Sequence, residues 1–256
     1  MSTELLIRAP VGLLPVLIFL VILLYMDSYK LVGLRAGFRV VVAGGLMAVA
    51  AYFVNGFLLD QVSFDFKSYT RYVSPVVEEV LKGAVIVWLF RMHRIGFLVD
   101  SAIMGFAVGT GFAVVENFYY LQSAGDAHVA VWIVRGFGTA IMHGGVMAIF
   151  AIMSQALTER NLKINPLLYV PGMFVAITLH SIFNHFVLPP MLMTLCYLLA
   201  LPPVLYVVFR KSAAHLHEWL ELDFDADARL LHQINSGEFA ESKIGRFLSD
   251  LRSKFE

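Results

Sequence analysis

The chain holds one cysteine, Cys196, so an internal disulfide is excluded, and the apolar setting of that thiol points to packing rather than chemistry. Charge is scarce and balanced. With 19 basic against 19 acidic residues there is no basic field, and nucleic acid is not an expected partner. No internal repeat is evident, which weighs against a transporter built from two related halves. Glu4 and Arg8 make a poor start for a signal peptide and no small-residue cleavage pattern follows, so the first apolar run is expected to stay as a helix. What the chain has instead is apolar length. At 59% hydrophobic residues, with a mean hydropathy of +0.76, it is neither a soluble globular chain nor a disordered one. The expected fold class is all-α, a polytopic transmembrane helical bundle in contact with the lipid bilayer.

Seven segments approach the roughly 17–25 apolar residues that a crossing helix needs: 9–25, 38–59, 74–90, 97–122, 129–157, 166–188 and 191–209. Pro202 and Pro203 predict a kink or break in the last. Two domains follow, a transmembrane helical bundle over residues 1–210 and an amphipathic helical tail over 211–256. In the tail Ile244, Phe247, Leu248, Leu251 and Phe255 form an apolar stripe suited to its own domain, a second copy of the chain or the membrane surface. If the spans alternate, Lys30, Arg35, Arg39, Arg91, Arg94, Arg160, Lys163, Arg210 and Lys211 share one side, against Arg8, Lys67 and Arg71 on the other. Basic loops stay inside, so the N-terminus is expected outside and the C-terminus in the cytoplasm. Between the second and third spans, Phe64, Phe66, Tyr69 and Tyr72 are spaced as interfacial anchors.

The third span, SPVVEEVLKGAVIVWLF, is the exceptional one. A charge at membrane depth costs about 2.5–3.5 kcal/mol on insertion scales, so it persists mainly where it faces a bundle interior and has a partner. Glu78, Glu79 and Lys82 are three such charges. Ser74 suits a helix cap and Pro75 its first position, which would put both carboxylates near the positive dipole end; Lys82 lies within pairing distance of either.

Other spans carry polar groups of their own. The fourth has Gly105, Gly109, Ala113 and Asn117 at four-residue steps, a face that admits a close neighbour, with Glu116 beside it. The fifth has Arg135 and His143, and the sixth has His180 and Asn184 on one face. At about 1.5 Å rise per residue, Glu78 and Glu79 lie about 6–8 Å inside one membrane face, Glu116 about 9 Å, His143 about 10 Å and His180 about 12 Å. Four antiparallel helices thus deliver costly groups to a single layer. Two neutral imidazoles and a carboxylate suit a catalytic Zn²⁺ with an open position for water. On this reading Glu116, His143 and His180 are the ligands and Glu79 or Glu78 is the general base. Lys82 or Asn184 then steadies the oxyanion. Another divalent ion, or a glutamate–histidine pair without metal, stays open, as do a proton- or cation-coupled transporter and a noncatalytic scaffold.

These residues resemble a family. Glu78-Glu79-Val80-Leu81-Lys82 matches EExxK, Gly111-Phe112-Ala113-Val114-Val115-Glu116-Asn117 matches GFAxxEN, and His143 and His180-Ser181-Ile182-Phe183-Asn184 follow as further histidine elements, the latter HxxxN. The sequence is similar to the PrsW family of bacterial intramembrane proteases, usually classed as metalloproteases and related to CAAX prenyl endopeptidases. The resemblance implies a bacterial cytoplasmic membrane location and cleavage of a membrane-anchored protein substrate, of which an anti-sigma factor is the family's best-known type. It implies Glu78, Glu79, Glu116, His143 and His180 as the site.

Overall fold

The computed structural model describes residues 3–27, 30–123, 127–159 and 165–252. In order it contains α1 (Thr3–Met26), α2 (Leu34–Gln61) and α3 (Phe66–Ser68), which runs through a π-helical turn (Tyr69–Val73) into α4 (Ser74–Arg91). Next come α5 (Leu98–Ser123) and α6 (Val129–Ile133), the latter joined by a second π-helical turn (Val134–Thr139) to α7 (Ala140–Thr158). A 3-10 turn (Pro166–Tyr169) precedes α8 (Val170–His185). Then follow α9 (Pro190–Asn235), another 3-10 turn (Glu238–Glu241) and α10 (Lys243–Arg252). No strand occurs among the described residues, and helices satisfy their own backbone groups in lipid segment by segment.

Among the described residues, six helices are long and apolar enough to cross a membrane: Ile7–Met26, Leu34–Gln61, Leu98–Ser123, Val129–Thr158, Pro166–His185 and Pro190–Ser212. The difference from seven is α4. Glu78, Glu79, Lys82 and Arg91 fall within its 18 residues, so by composition it does not qualify as a free-standing span. It buries Glu79, Lys82, Gly83, Ile86 and Leu89 against its neighbours instead. Helix α9 continues through Pro202 and Pro203 without a break.

The chain divides into two compact units, Met1–Phe209 and Arg210–Glu256. In the first, α5 is the axis. Of its spanning window 83% is buried, against 28% for α1, α2 and α8, whose outer faces carry exposed Ile18, Val21, Phe38, Leu46 and Phe57. Glycine explains the close packing. A Cβ at Gly105 would collide with the backbone of Met147 and Ala148 in α7, and one at Gly109 with that of His143 and Gly144. In lipid, helices associate through such close contact rather than through the hydrophobic effect, so the small-residue row does the work that leucine does in water. Farther along the row, the Asn117 amide donates to the Gly12 carbonyl of α1 at 2.8 Å.

The entry to α4 differs from the expected Ser74 cap. Asp65 caps the preceding turn, accepting from the Ser68 N–H at 3.1 Å, and the helix is already under way at Ser74. Pro75 has no N–H to give, and the widened turn over Tyr69–Val73 absorbs that missing bond. The two carboxylates are therefore mid-helix, where the dipole does little for them and partners must do the rest. Phe64, Phe66 and Tyr72 are exposed, but Tyr69, expected as an anchor, is buried.

In the second unit, α10 exposes Phe247 and Leu248. The side chains of Ile244 and Leu251, together with residues Phe255, Arg160 and Lys163, lie outside the described residues.

Gly109→Ala should lower stability by about 1–3 kcal/mol through overpacking against His143. Thermal unfolding in detergent checks it, and an unchanged midpoint would show slack between α5 and α7.

Candidate active site

Helix α4 brings Glu78, Glu79 and Lys82 to the junction of α5, α7 and α8, which supply Glu116, His143 and His180 in turn. Glu79 and Lys82 are wholly buried and form an ion pair through Glu79 Oε1. The same oxygen lies 2.6 Å from His180 Nδ1, while the Lys82 ammonium is 2.9 Å from His143 Nδ1 and 4.6 Å from the centre of the Phe112 ring. The two imidazole rings meet edge to face, 4.8 Å apart.

Proton inventory assigns the ring nitrogens. An ammonium only donates, so His143 Nδ1 accepts from Lys82 and its Nε2–H donates to Glu116 Oε2 at 2.9 Å. An ionised Glu79 only accepts, so His180 carries its proton on Nδ1 and leaves Nε2 open, 3.9 Å from Glu78 Oε2. Glu116 Oε1 is held at 3.1 Å by Arg135, whose guanidinium also donates to Asn117 Oδ1 at 2.9 Å and stacks 3.6 Å from the Tyr120 ring centre. Three carboxylates therefore face two permanent cations. A low-dielectric site does not hold that excess negative charge without a proton or another cation.

A cavity of about 750 Å³ adjoins the cluster between α2, α4 and α5. Glu78 and Glu116 line it, along with Asn55, Ser74, Phe112 and Tyr120. Glu79, Lys82, His143 and His180 are buried behind that lining. The three glutamates thus divide into two that face the cavity and one that is sealed.

The structure brings together six of the seven residues expected from sequence: Glu78, Glu79, Lys82, Glu116, His143 and His180. Asn184 is placed differently. Its amide donates to the Thr70 carbonyl at 2.9 Å, tying α8 to the first π-helical turn. Lys82 is likewise enclosed between Glu79 and His143 rather than open to the cavity. Among the described residues, the donor atoms that lie within 4.8 Å of one another and suit a metal belong to Glu78, His143 and His180, with Glu78 where Glu116 was expected. Sequence reasoning passed over Asn55 and weighed Arg135 only as a countercharge to the carboxylates. Only the charge of Arg135 in an apolar span signalled it.

Imidazoles and carboxylates converging inside a bundle of membrane-crossing helices, beside a cavity with an acidic lining, define the class: a membrane-embedded hydrolase with a metal-type donor set. The family model for PrsW family intramembrane metalloproteases matches residues 33–209, well over half of the chain, and the chain belongs to that family. Comparison with curated proteins returned no match, and neither did comparison with solved structures. The protein is accordingly an integral membrane peptide hydrolase that uses a metal cofactor and acts on a membrane protein substrate.

Lys82→Met should strip the buried Glu79 of its countercharge and cost about 3–5 kcal/mol, whereas Lys82→Met combined with Glu79→Gln should recover much of the loss. Denaturant unfolding of the two variants in detergent measures this; equal losses would mean that the pair is not coupled.

Proposed function

We propose that Glu78, His143 and His180 hold the catalytic metal, that the metal is zinc, and that Glu116 is the general base. The observation that carries this is the grouping of those three donors at ligand spacing beside a cavity whose other carboxylate is Glu116. The residues fit such an ion. His180 is already turned by Glu79 so that Nε2 is free, and a carboxylate with two imidazoles is the donor chemistry zinc takes. Glu79 Oε2 is a buried oxygen without a hydrogen-bond partner, a sign that the cluster has negative charge to spare. For His143 to lend a lone pair, Lys82 must turn wholly toward Glu79, its existing ion-pair partner.

A divalent ion there supplies Lewis acidity, easing the loss of a proton from water at neutral pH. The chain's own residues do the rest. The cavity receives an unwound stretch of the substrate, its scissile carbonyl above Glu78 and Glu116. Arg135 fixes Glu116 Oε1, so the carboxylate is held in place to accept the proton of the attacking water. When the C–N bond breaks, that proton returns from Glu116 to the departing amine. Glu79 and Lys82 touch neither water nor substrate in this scheme; Glu79 orients the His180 imidazole and Lys82 holds Glu79 in place.

By this reading the protein resides in a bacterial cytoplasmic membrane with its N-terminus outside, an orientation the asymmetry of basic loops supports when α4 crosses together with the six qualifying helices. The substrate is an anchored protein of the anti-sigma-factor type, cut near the outer face, an assignment supported by family resemblance alone.

Two substitutions separate the roles. Glu78→Gln should lose both the metal, about one per chain in the wild type, and cleavage of a reconstituted membrane substrate. Glu116→Gln should keep the metal and lose turnover by about 10²–10⁴-fold, the usual weight of a general base. Elemental analysis beside the cleavage assay reads both. The opposite pattern would return Glu116 to the ligand set, and cleavage surviving chelation by a metal-free wild type would sink the metal reading.

A further inference from the structure

We infer that Tyr69, Asn55 and Ser74 form a directed hydrogen-bond relay that aims Glu78 at the imidazoles. The inference rests on the reading of Glu78 as a metal ligand. Glu78 Oε1 accepts from the Ser74 hydroxyl, and the Asn55 amide nitrogen lies 3.2 Å from Ser74 Oγ and 3.5 Å from Glu78 Oε1. Asn55 Oδ1 in turn accepts from the Tyr69 hydroxyl at 2.9 Å.

The chemistry dictates the direction of every bond. A carboxylate only accepts, so Ser74 donates to it; Ser74 has then spent its one hydrogen and must accept from Asn55, which makes the facing atom of Asn55 its nitrogen. The oxygen of Asn55 is left toward Tyr69, which must donate. Reversing any one bond leaves two acceptors or two donors face to face. With Oε1 so held, Oε2 is the oxygen that faces His180 Nε2 at 3.9 Å.

The relay draws on three elements, and its origin is anchored. Tyr69 is 2% exposed and sits in the π-helical turn, whose register is what turns a residue from the exposed 60–73 stretch inward. That turn is tied to α8, the helix of His180, by Asn184 on the Thr70 carbonyl at 2.9 Å and by the Ser181 hydroxyl on the Arg71 carbonyl at 2.6 Å. Arg71 adds a bond to the His185 carbonyl at 3.2 Å. The turn thus links the helix that carries one imidazole ligand to the residue that starts the relay to Glu78. Asn55 stands on α2, and it holds Glu78 from across the cavity wall.

Tyr69, Asn55 and Ser74 are therefore positioning residues, and partners of ligands in this position typically change metal affinity or activity by about 10–100-fold. The test uses the full chain in nanodiscs, with zinc affinity measured by competition against a chromophoric chelator and turnover measured on a fluorogenic transmembrane peptide. Tyr69→Phe removes one oxygen from a buried ring and should weaken zinc binding and lower kcat by about 10-fold or more, with KM and the unfolding midpoint little changed. Asn55→Ala should do the same. Tyr206→Phe, which removes a hydroxyl from the exposed face of α9, outside both the relay and the cavity lining, should change neither. Wild-type zinc affinity and kcat in Tyr69→Phe would overturn the relay, even if Asn55→Ala fails to fold. A wild type that binds no zinc would overturn the metal reading, and the relay then stands or falls on the kcat of Tyr69→Phe.

Discussion

The Lys82–Glu79 ion pair is the contact on which the rest of the bundle depends. An ammonium and a carboxylate without solvent exposure are tolerated only if nearly every proton and lone pair finds a partner, because the low dielectric that strengthens the pair also raises the cost of leaving it incomplete. Lys82 shares its hydrogens between Glu79 and His143 and rests against the Phe112 ring; Glu79 takes Lys82 and His180. Those contacts require α4, α5, α7 and α8 all to be present and in register. A helix with such a pair cannot stand alone in lipid, which is why α4 turns that face into the bundle while Val76, Val80 and Trp88 stay exposed, and why it falls outside the set of helices that qualify as spans by composition.

Close packing of glycine supplies the precision that this pair demands. His143 lies where α7 touches α5 backbone to backbone at Gly109, so its ring is placed by the main chain rather than by the fit of flexible side chains. Glu116 is on the same α5, two turns away. The distance between Glu116 and His143 is thus set largely by one rigid contact, the kind of support a catalytic constellation needs.

The fold class, the membrane helices and the cluster itself were legible in the sequence because their signals are strong and local: apolar length, and charge where charge is costly. That Lys82 pairs with one of the two neighbouring glutamates followed from their three- and four-residue spacing on a helix, though not which one. The division of labour among the glutamates was not legible. Glu78 and Glu79 are adjacent, about 100° apart on the helix, and spacing alone does not say which one faces a neighbour and which a cavity. The two π-helical turns shifted the register just where the site begins, so Ser74 became a donor to Glu78 rather than a cap, and Tyr69 pointed inward from a stretch patterned like a surface. Asn55 carries no signal at all in sequence, being one polar residue on an apolar helix; only its neighbours give it meaning.

Surroundings, not residue type, separate the three carboxylates. Glu79 is held through Oε1 by both Lys82 and His180 and is closed to the cavity, so it orients. Glu78 keeps one oxygen toward an imidazole with a free nitrogen, so it is suited to share a cation. Glu116 has an arginine on one oxygen and the His143 N–H on the other, and of these carboxylates it shares the cavity lining with Glu78 alone, so it is suited to exchange a proton with what the cavity holds. A peptide bond resists hydrolysis unless water, base and charge-stabilising group meet in a place that otherwise excludes solvent. In a bilayer the solvent is excluded already, and the harder requirement is to keep a pool of negative charge stable until a cation and a substrate complete it. Two permanent cations against three carboxylates leave that pool one charge short of balance, a deficit that a bound cation would fill.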